Sequence, residues 1–144
     1  MRIRDIEHQS GRRLRIGLDR GCAEEAMIIQ LSNPAQPGSE PVLLDIYGGE
    51  LLAGFLMNAR LAGPTGNLAD EVCVGPLACR IRLIRRTART VVELCQGEKI
   101  LAIPQIFWDR LYAELMLALV HGRHLDSLHA IGPSLSSAGS RLLH

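Results

Sequence analysis

One unbroken stretch, Cys79 to His121, carries alternating strands, a tight turn and an amphipathic helix in succession, and it limits the folds open to the chain more than any other segment. Residues 79–84 alternate, with Ile81 and Leu83 on one face and Arg80 and Arg82 on the other. A two-residue period marks a strand with one buried face. Two more apolar runs follow, Val91-Val92 with Leu94, then Ile100-Leu101 with Ile103. The polar turn Gln96-Gly97-Glu98-Lys99 separates them, so 90–95 and 99–103 are predicted to form a hairpin. Pro104 suits the first turn of a helix, where a missing N–H leaves nothing unsatisfied. Phe107, Leu111, Leu115 and Leu119 recur at every fourth position with Trp108, Tyr112 and Met116 beside them, which predicts a helix over 104–121. Gly122 is expected to end it, with His121, Arg123 and His124 near its negative end.

The N-terminal part continues the theme. Residues 2–7 and 12–18 are predicted as a first hairpin around His8-Gln9-Ser10-Gly11, since Leu14, Ile16 and Leu18 alternate with arginines. Residues 26–31 and 42–47 are short strand candidates on either side of a loop with three prolines, and Gly48-Gly49 is expected to break the second. Residues 50–62 fit two periods. Leu51, Leu52, Phe55, Leu56 and Ala59 make a helical face; Leu51, Ala53, Phe55, Met57, Ala59 and Leu61 make a strand face. Helix is preferred because the segment is rich in helix formers and lacks β-branched residues. No internal repeat stands out. Strands followed by one long helix predict an α+β domain, mainly antiparallel sheet packed against a long C-terminal helix. The domain is expected to span residues 1–132, with 133–144 as a flexible tail.

Composition narrows function mostly by exclusion. A formal net charge of +1 gives no global attraction to nucleic acid or anionic lipid. No apolar run is long enough to span a bilayer and the N-terminus leads into charges, so a cytoplasmic protein without a membrane segment is expected. The cysteines at 22, 73, 79 and 95 have no zinc-ligand spacing and are expected to be reduced thiols in small apolar sites. His121, His124, Asp126 and His129 lack a metalloprotease spacing, and no metal or cofactor is expected. There is no nucleophile elbow, phosphate loop or dinucleotide fingerprint, and no residue is assigned a catalytic role. Asp45, Glu50, Asp70 and Glu71 are scattered among loops and segment ends.

Two constellations remain. Arg80, Arg82 and Arg86 share an even-numbered strand face and could grip an anionic ligand, since guanidinium groups donate as a bidentate fork. The alternative is a solvated face that blunts edge pairing. Without interleaved aromatics the cluster lacks the stacking half of a nucleic-acid site. The helix 104–121 is apolar over more than one stripe, leaving Trp108, Tyr112 and Leu117 as candidate contacts for a second helix. The expected function is a small non-enzymatic interaction module that self-associates through this helix, with a small-anion binder as the alternative and an enzyme of unknown class as the third reading. A second internal element, such as 50–62, could instead cover the same residues.

Gly11-Arg12-Arg13-Leu14-Arg15 and Asp45-Ile46-Tyr47-Gly48-Gly49 loosely resemble the two motifs of PilZ domains. That resemblance implies a small β-barrel that binds cyclic di-GMP, with residues 50–62 as a strand. Tyr47 stands where the motif has Ser, and the arginine spacing differs.

Overall fold

The structure, a computed structural model, describes residues 2–20 and 27–138, apart from the side chains of Arg20 and of residues 124–138. It is an α+β fold of two four-stranded antiparallel sheets and two helices, the second long and C-terminal. The first sheet is a meander of β1 (Arg2–Glu7), β2 (Arg13–Arg20), β3 (Met27–Ser32) and β4 (Val42–Leu44), followed by helix α1 (Ile46–Ala62). The second repeats that order with β5 (Glu71–Cys73), β6 (Cys79–Arg85), β7 (Thr90–Gln96) and β8 (Lys99–Pro104), followed by α2 (Trp108–Ala138). A short 3₁₀ turn, Gln105–Phe107, links β8 to α2. The chain therefore is an internal repeat of topology, four strands and a helix twice over, which inspection of the sequence did not find.

The strand register lines up one apolar face per sheet. In the first, Ile6 lies opposite Leu14, Ile16 opposite Leu31, and Leu31 opposite Val42. In the second, Ile81 lies opposite Leu94, which lies opposite Leu101, and Val92 opposite Ile103. These residues join Leu52, Phe55, Leu56, Leu111, Leu115 and Leu119 from the helices in a single core. Gln96, at the end of β7, ties the two sheets together. The Leu43 N–H donates to its Oε1 at 2.9 Å, and its Nε2 donates back to the Leu43 carbonyl at 2.6 Å. A side-chain amide thus satisfies one residue of the β4 edge, as a neighbouring strand would.

The ambiguity at 50–62 resolves as helix, and burial shows why. Leu52, Phe55, Leu56 and Ala59 are buried at helical spacing, whereas Met57 and Leu61, which a strand face would bury, are exposed. The helix starts earlier than expected. Asp45 caps it by accepting from the Gly48 N–H at 2.8 Å, so the strand before it stops at Leu44. Gly48 and Gly49 do not break a strand; they lie in the first turn of α1. A Cβ on Gly49 would stand 2.7 Å from Ile29 Cδ1 and 3.1 Å from Leu119 Cδ2, so the absent side chain lets α1 pack closely on β3 and α2. With a helix over 46–62 and two separate sheets, the β-barrel implied by the PilZ resemblance is not formed.

Two expectations about the C-terminal helix are corrected. Pro104 is the last residue of β8 rather than part of a helical turn, because the register still sets it opposite Val91. Gly122 does not stop α2, which continues to Ala138 through Gly132-Pro133 and into the stretch expected to be a loose tail. Gly122 is buried where α2 passes the start of α1, and a Cβ there would meet Ile46 Cδ1 at 3.3 Å. Close packing, not helix termination, explains this glycine. Residues 139–144 lie outside the described residues.

Two outcomes follow for stability. Gly49→Ala overpacks the helix contact and is expected to destabilise the fold by about 1–3 kcal/mol in urea denaturation. Gln96→Leu leaves both groups of Leu43 without a partner and is expected to cost about 1–3 kcal/mol. Hydrogen exchange at the Leu43 amide should accelerate with it; unchanged protection there would show that Gln96 does not hold the seam.

Candidate functional site

The arginine cluster does not converge as its numbering suggested. β6 ends at Arg85, and Arg86 falls in the turn to β7, where its backbone N–H donates to the Arg89 carbonyl at 2.9 Å. Arg86 is therefore not on a shared face with Arg80 and Arg82. Arg85, on the opposite face, is anchored to the loop after α1 by donating to the Gly66 and Gly63 carbonyls, each at 2.6 Å. Arg82 is held between Asp70 and Glu93, with nitrogen–oxygen distances of 3.5 Å to each. Its Nε is sealed from water and makes no hydrogen bond. Arg80 is exposed. Two carboxylates already neutralise the central member of the row, which leaves it poorly placed to take a further anion.

The first sheet contains the counterpart of this arrangement. Arg15 of β2 lies opposite Asp5 of β1 and donates to both its oxygens, at 2.8 and 3.0 Å. That hydrogen bonding holds the Asp5 carboxyl below its usual range, against a smaller opposing effect of burial. In the second unit Arg82 of β6 pairs similarly with Asp70, the residue just before β5. Asp45, Glu50 and Asp70, scattered carboxylates in the sequence, are thus a helix cap, a partner of Arg123 at 2.9 Å and a partner of Arg82.

Cys73 and Cys79 lie opposite each other on β5 and β6, and Cys95 lies opposite Arg80 on β7; all three are free thiols. Burial, reinforced by the neighbouring Cys95 and Cys73, pushes the Cys79 thiol up to about 11. Burial also raises Cys73, and raises Cys95 together with a hydrogen bond to Glu93. Thiols shifted this way are poor nucleophiles at neutral pH. Among the described residues no group of three or more His, Cys, Asp or Glu is arranged to hold a metal ion. Cys22 and His129 lie outside the described side chains.

The three residues proposed as contacts on α2 part company. Trp108 is 3% exposed, packs in the core and donates from Nε1 to the Ile103 carbonyl at 2.9 Å. It is a core residue, not a docking residue, because its ring and its N–H are both satisfied internally. Leu117 is 64% exposed, beside a cleft of about 210 Å³ between α2 and the β1–β2 hairpin. Tyr112 is half-buried and lines a groove of about 320 Å³ along the outer seam of α1 and α2, with Ala53, Gly54, Met57, Met116 and Leu119. So α1 does cover part of α2, as the alternative expectation had it, but the seam between them leaves apolar surface outside.

Ion pairs close both ends of that seam. Glu50 of α1 meets Arg123 of α2 at 2.9 Å, and Arg60 of α1 meets Asp109 of α2 at 2.6 Å, so the helices run antiparallel. Each helix carries its acid near its N-terminus and its base farther along. A separate cleft of about 350 Å³ opens where the two sheets meet, between the β1–β2 turn, the β3–β4 loop and the end of β8. Sequence reasoning missed both, because each is assembled from segments distant in the chain. No protein-family model matches the chain, and no characterised protein matches it in sequence. Among the described residues, no helix is long and apolar enough to cross a membrane.

Alkylation should report the thiol environments. With Cys22 replaced by Ser, iodoacetamide at pH 8 is expected to modify Cys95 first and Cys79 last, as mapped by peptide mass spectrometry. Early modification of Cys79 would contradict the burial that raises its pKa.

Proposed function

We propose that this protein is a non-enzymatic interaction module that self-associates through the outer face of the α1–α2 pair. The observation that carries the reading is the seam itself. Met57 and Met116, 37% and 36% exposed, flank a notch at Gly54, where a Cβ would touch nothing within 4 Å. Methionine and tyrosine beside an open notch suit a protein contact, since flexible thioethers fill irregular gaps and aromatics anchor interfaces.

Charge favours a second copy as the occupant. Around the rim run Glu50, Arg123, Asp109 and Arg60, so the sign alternates from corner to corner. A two-fold axis in the plane of the contact exchanges either the sides or the ends of this rectangle. Both operations set each acid opposite a base of the other copy. The face is therefore electrostatically self-complementary, the requirement of an isologous dimer. The raised thiol pKa values and the internally paired carboxylates support a non-enzymatic reading.

Native mass spectrometry tests this. The wild-type chain is expected at twice 15.8 kDa, and Met57→Glu with Met116→Glu, both at exposed positions, is expected to return it to one chain with unchanged circular dichroism. A wild-type chain that stays single at tens of micromolar would overturn the proposal, as would a dimer indifferent to both substitutions.

A further inference from the structure

The cleft at the junction of the two sheets has a chemistry unlike the other surface features. Its walls are Gly11, Arg12, Arg13 and Leu14 on one side and Asn33, Pro34 and Ala35 on the other, with Ala102, Pro104 and Phe107 between them. Leu14 and Phe107 contribute apolar surface from core residues, and Pro104 has no N–H to offer. The polar side chains on the walls are two arginines and Asn33. The Asn33 Oδ1 accepts from the Ala35 N–H at 2.9 Å, and its amide N–H groups can donate. The two guanidinium groups can only donate, so donors predominate among the polar side chains of the walls.

No carboxylate lines this cleft, whereas the cleft beside Leu117 has Glu114 in its wall and the α1–α2 groove has Glu50. Two acids on neighbouring strands are already engaged. Glu7 accepts from Arg13 Nε at 2.8 Å, and Glu93, opposite Ala102 in the register, is paired with Arg82. The Arg12 guanidinium has no hydrogen-bond or ion-pair partner among the described residues. Its backbone carbonyl, by contrast, is fixed by the His8 N–H at 2.9 Å, which sets the turn that presents it.

We infer that this cleft binds a small organic anion with a flat apolar body, its carboxylate, sulfonate or phosphate held by Arg12 and its body lying over Leu14, Pro104 and Phe107. The volume is at the lower end of the range of about 300–1,000 Å³ usual for small-molecule sites. Guanidinium donates to such groups through two parallel N–H bonds, and an apolar floor with a few convergent donors fixes orientation. The site is independent of the α1–α2 face, so either reading can fail alone.

Anilinonaphthalene sulfonate, a flat apolar body with one anionic group, is the probe. Its fluorescence is expected to rise saturably with the native chain, with a stoichiometry of one per subunit and an affinity that falls as salt is raised. Arg12→Ala is expected to weaken binding about tenfold or more, as loss of a hydrogen bond to a charged group does. Ala102→Trp, at an exposed position, should abolish binding by filling the cleft. Met57→Glu with Met116→Glu should leave it unchanged. Phenylnaphthylamine, the same body without the anion, should bind at least fivefold more weakly. An unsaturable signal, equal affinity for the two probes, or affinity unchanged by both Arg12→Ala and Ala102→Trp would overturn the site. Loss of binding with the methionine substitutions instead would place the probe on the helices and overturn it equally.

Discussion

The antiparallel contact between α1 and α2 is the constraint on which the rest of the structure depends. Each sheet presents one apolar face, and neither is closed by its own strands. The helices close both at once, and they do so as a pair, because Leu52, Phe55 and Leu56 of one and Leu111, Leu115 and Leu119 of the other meet in the same core. Their approach is set by small residues. Gly49 sits against Leu119 and Ile29, and Gly122 against Ile46, so backbones come near where a side chain would hold them apart. Ion pairs at the two ends of the seam fix polarity more than they add stability, since all four side chains are substantially exposed.

Around that contact the molecule repeats itself. Four strands and a helix occur twice, and the repetition reaches polar detail: an arginine on the second strand of each unit, Arg15 or Arg82, pairs with an acid, Asp5 or Asp70. The segments Arg13-Leu14-Arg15-Ile16 and Arg80-Ile81-Arg82-Leu83 carry the same pattern in sequence. Where the units touch, Gln96 supplies from a side chain what a strand would supply from its backbone, and Lys99 adds a bond to the Pro41 carbonyl at 3.2 Å. A buried amide suits this seam because it both donates and accepts, as the exposed edge of β4 requires.

The surface divides into two kinds of opportunity with different physics. Along the helices, methionines and a tyrosine border a shallow seam edged by alternating charge, which suits a broad contact with another chain. At the junction of the sheets, arginines overlook an apolar cleft with no acid in its wall, which suits something small. The arginines of β6 that first drew attention belong to neither. Arg82 is spent between Asp70 and Glu93 and Arg85 on backbone carbonyls, so they hold the fold together rather than reach out from it.

What the sequence determined by itself were the elements with a strong local period. The alternation at 79–84, the hairpin around Gly97, the first hairpin and the helix containing Leu111, Leu115 and Leu119 are all present, because burial of one face at a period of two or near four leaves its mark within a few residues. The helical preference at 50–62 held for the same reason, its burial falling at 52, 55, 56 and 59. The glycines misled. Gly48, Gly49 and Gly122 read locally as breaks, but Gly49 and Gly122 are glycines because of residues far away in the chain, Ile29 and Leu119 for the first and Ile46 for the second. Trp108 was legible as a helical residue but not as a core one, since that depended on the Ile103 carbonyl lying within reach of its indole. Both candidate sites were invisible for a related reason. A groove between two helices, or a cleft between two sheets, is defined by the space left when distant segments pack, and only the tertiary structure decides that space.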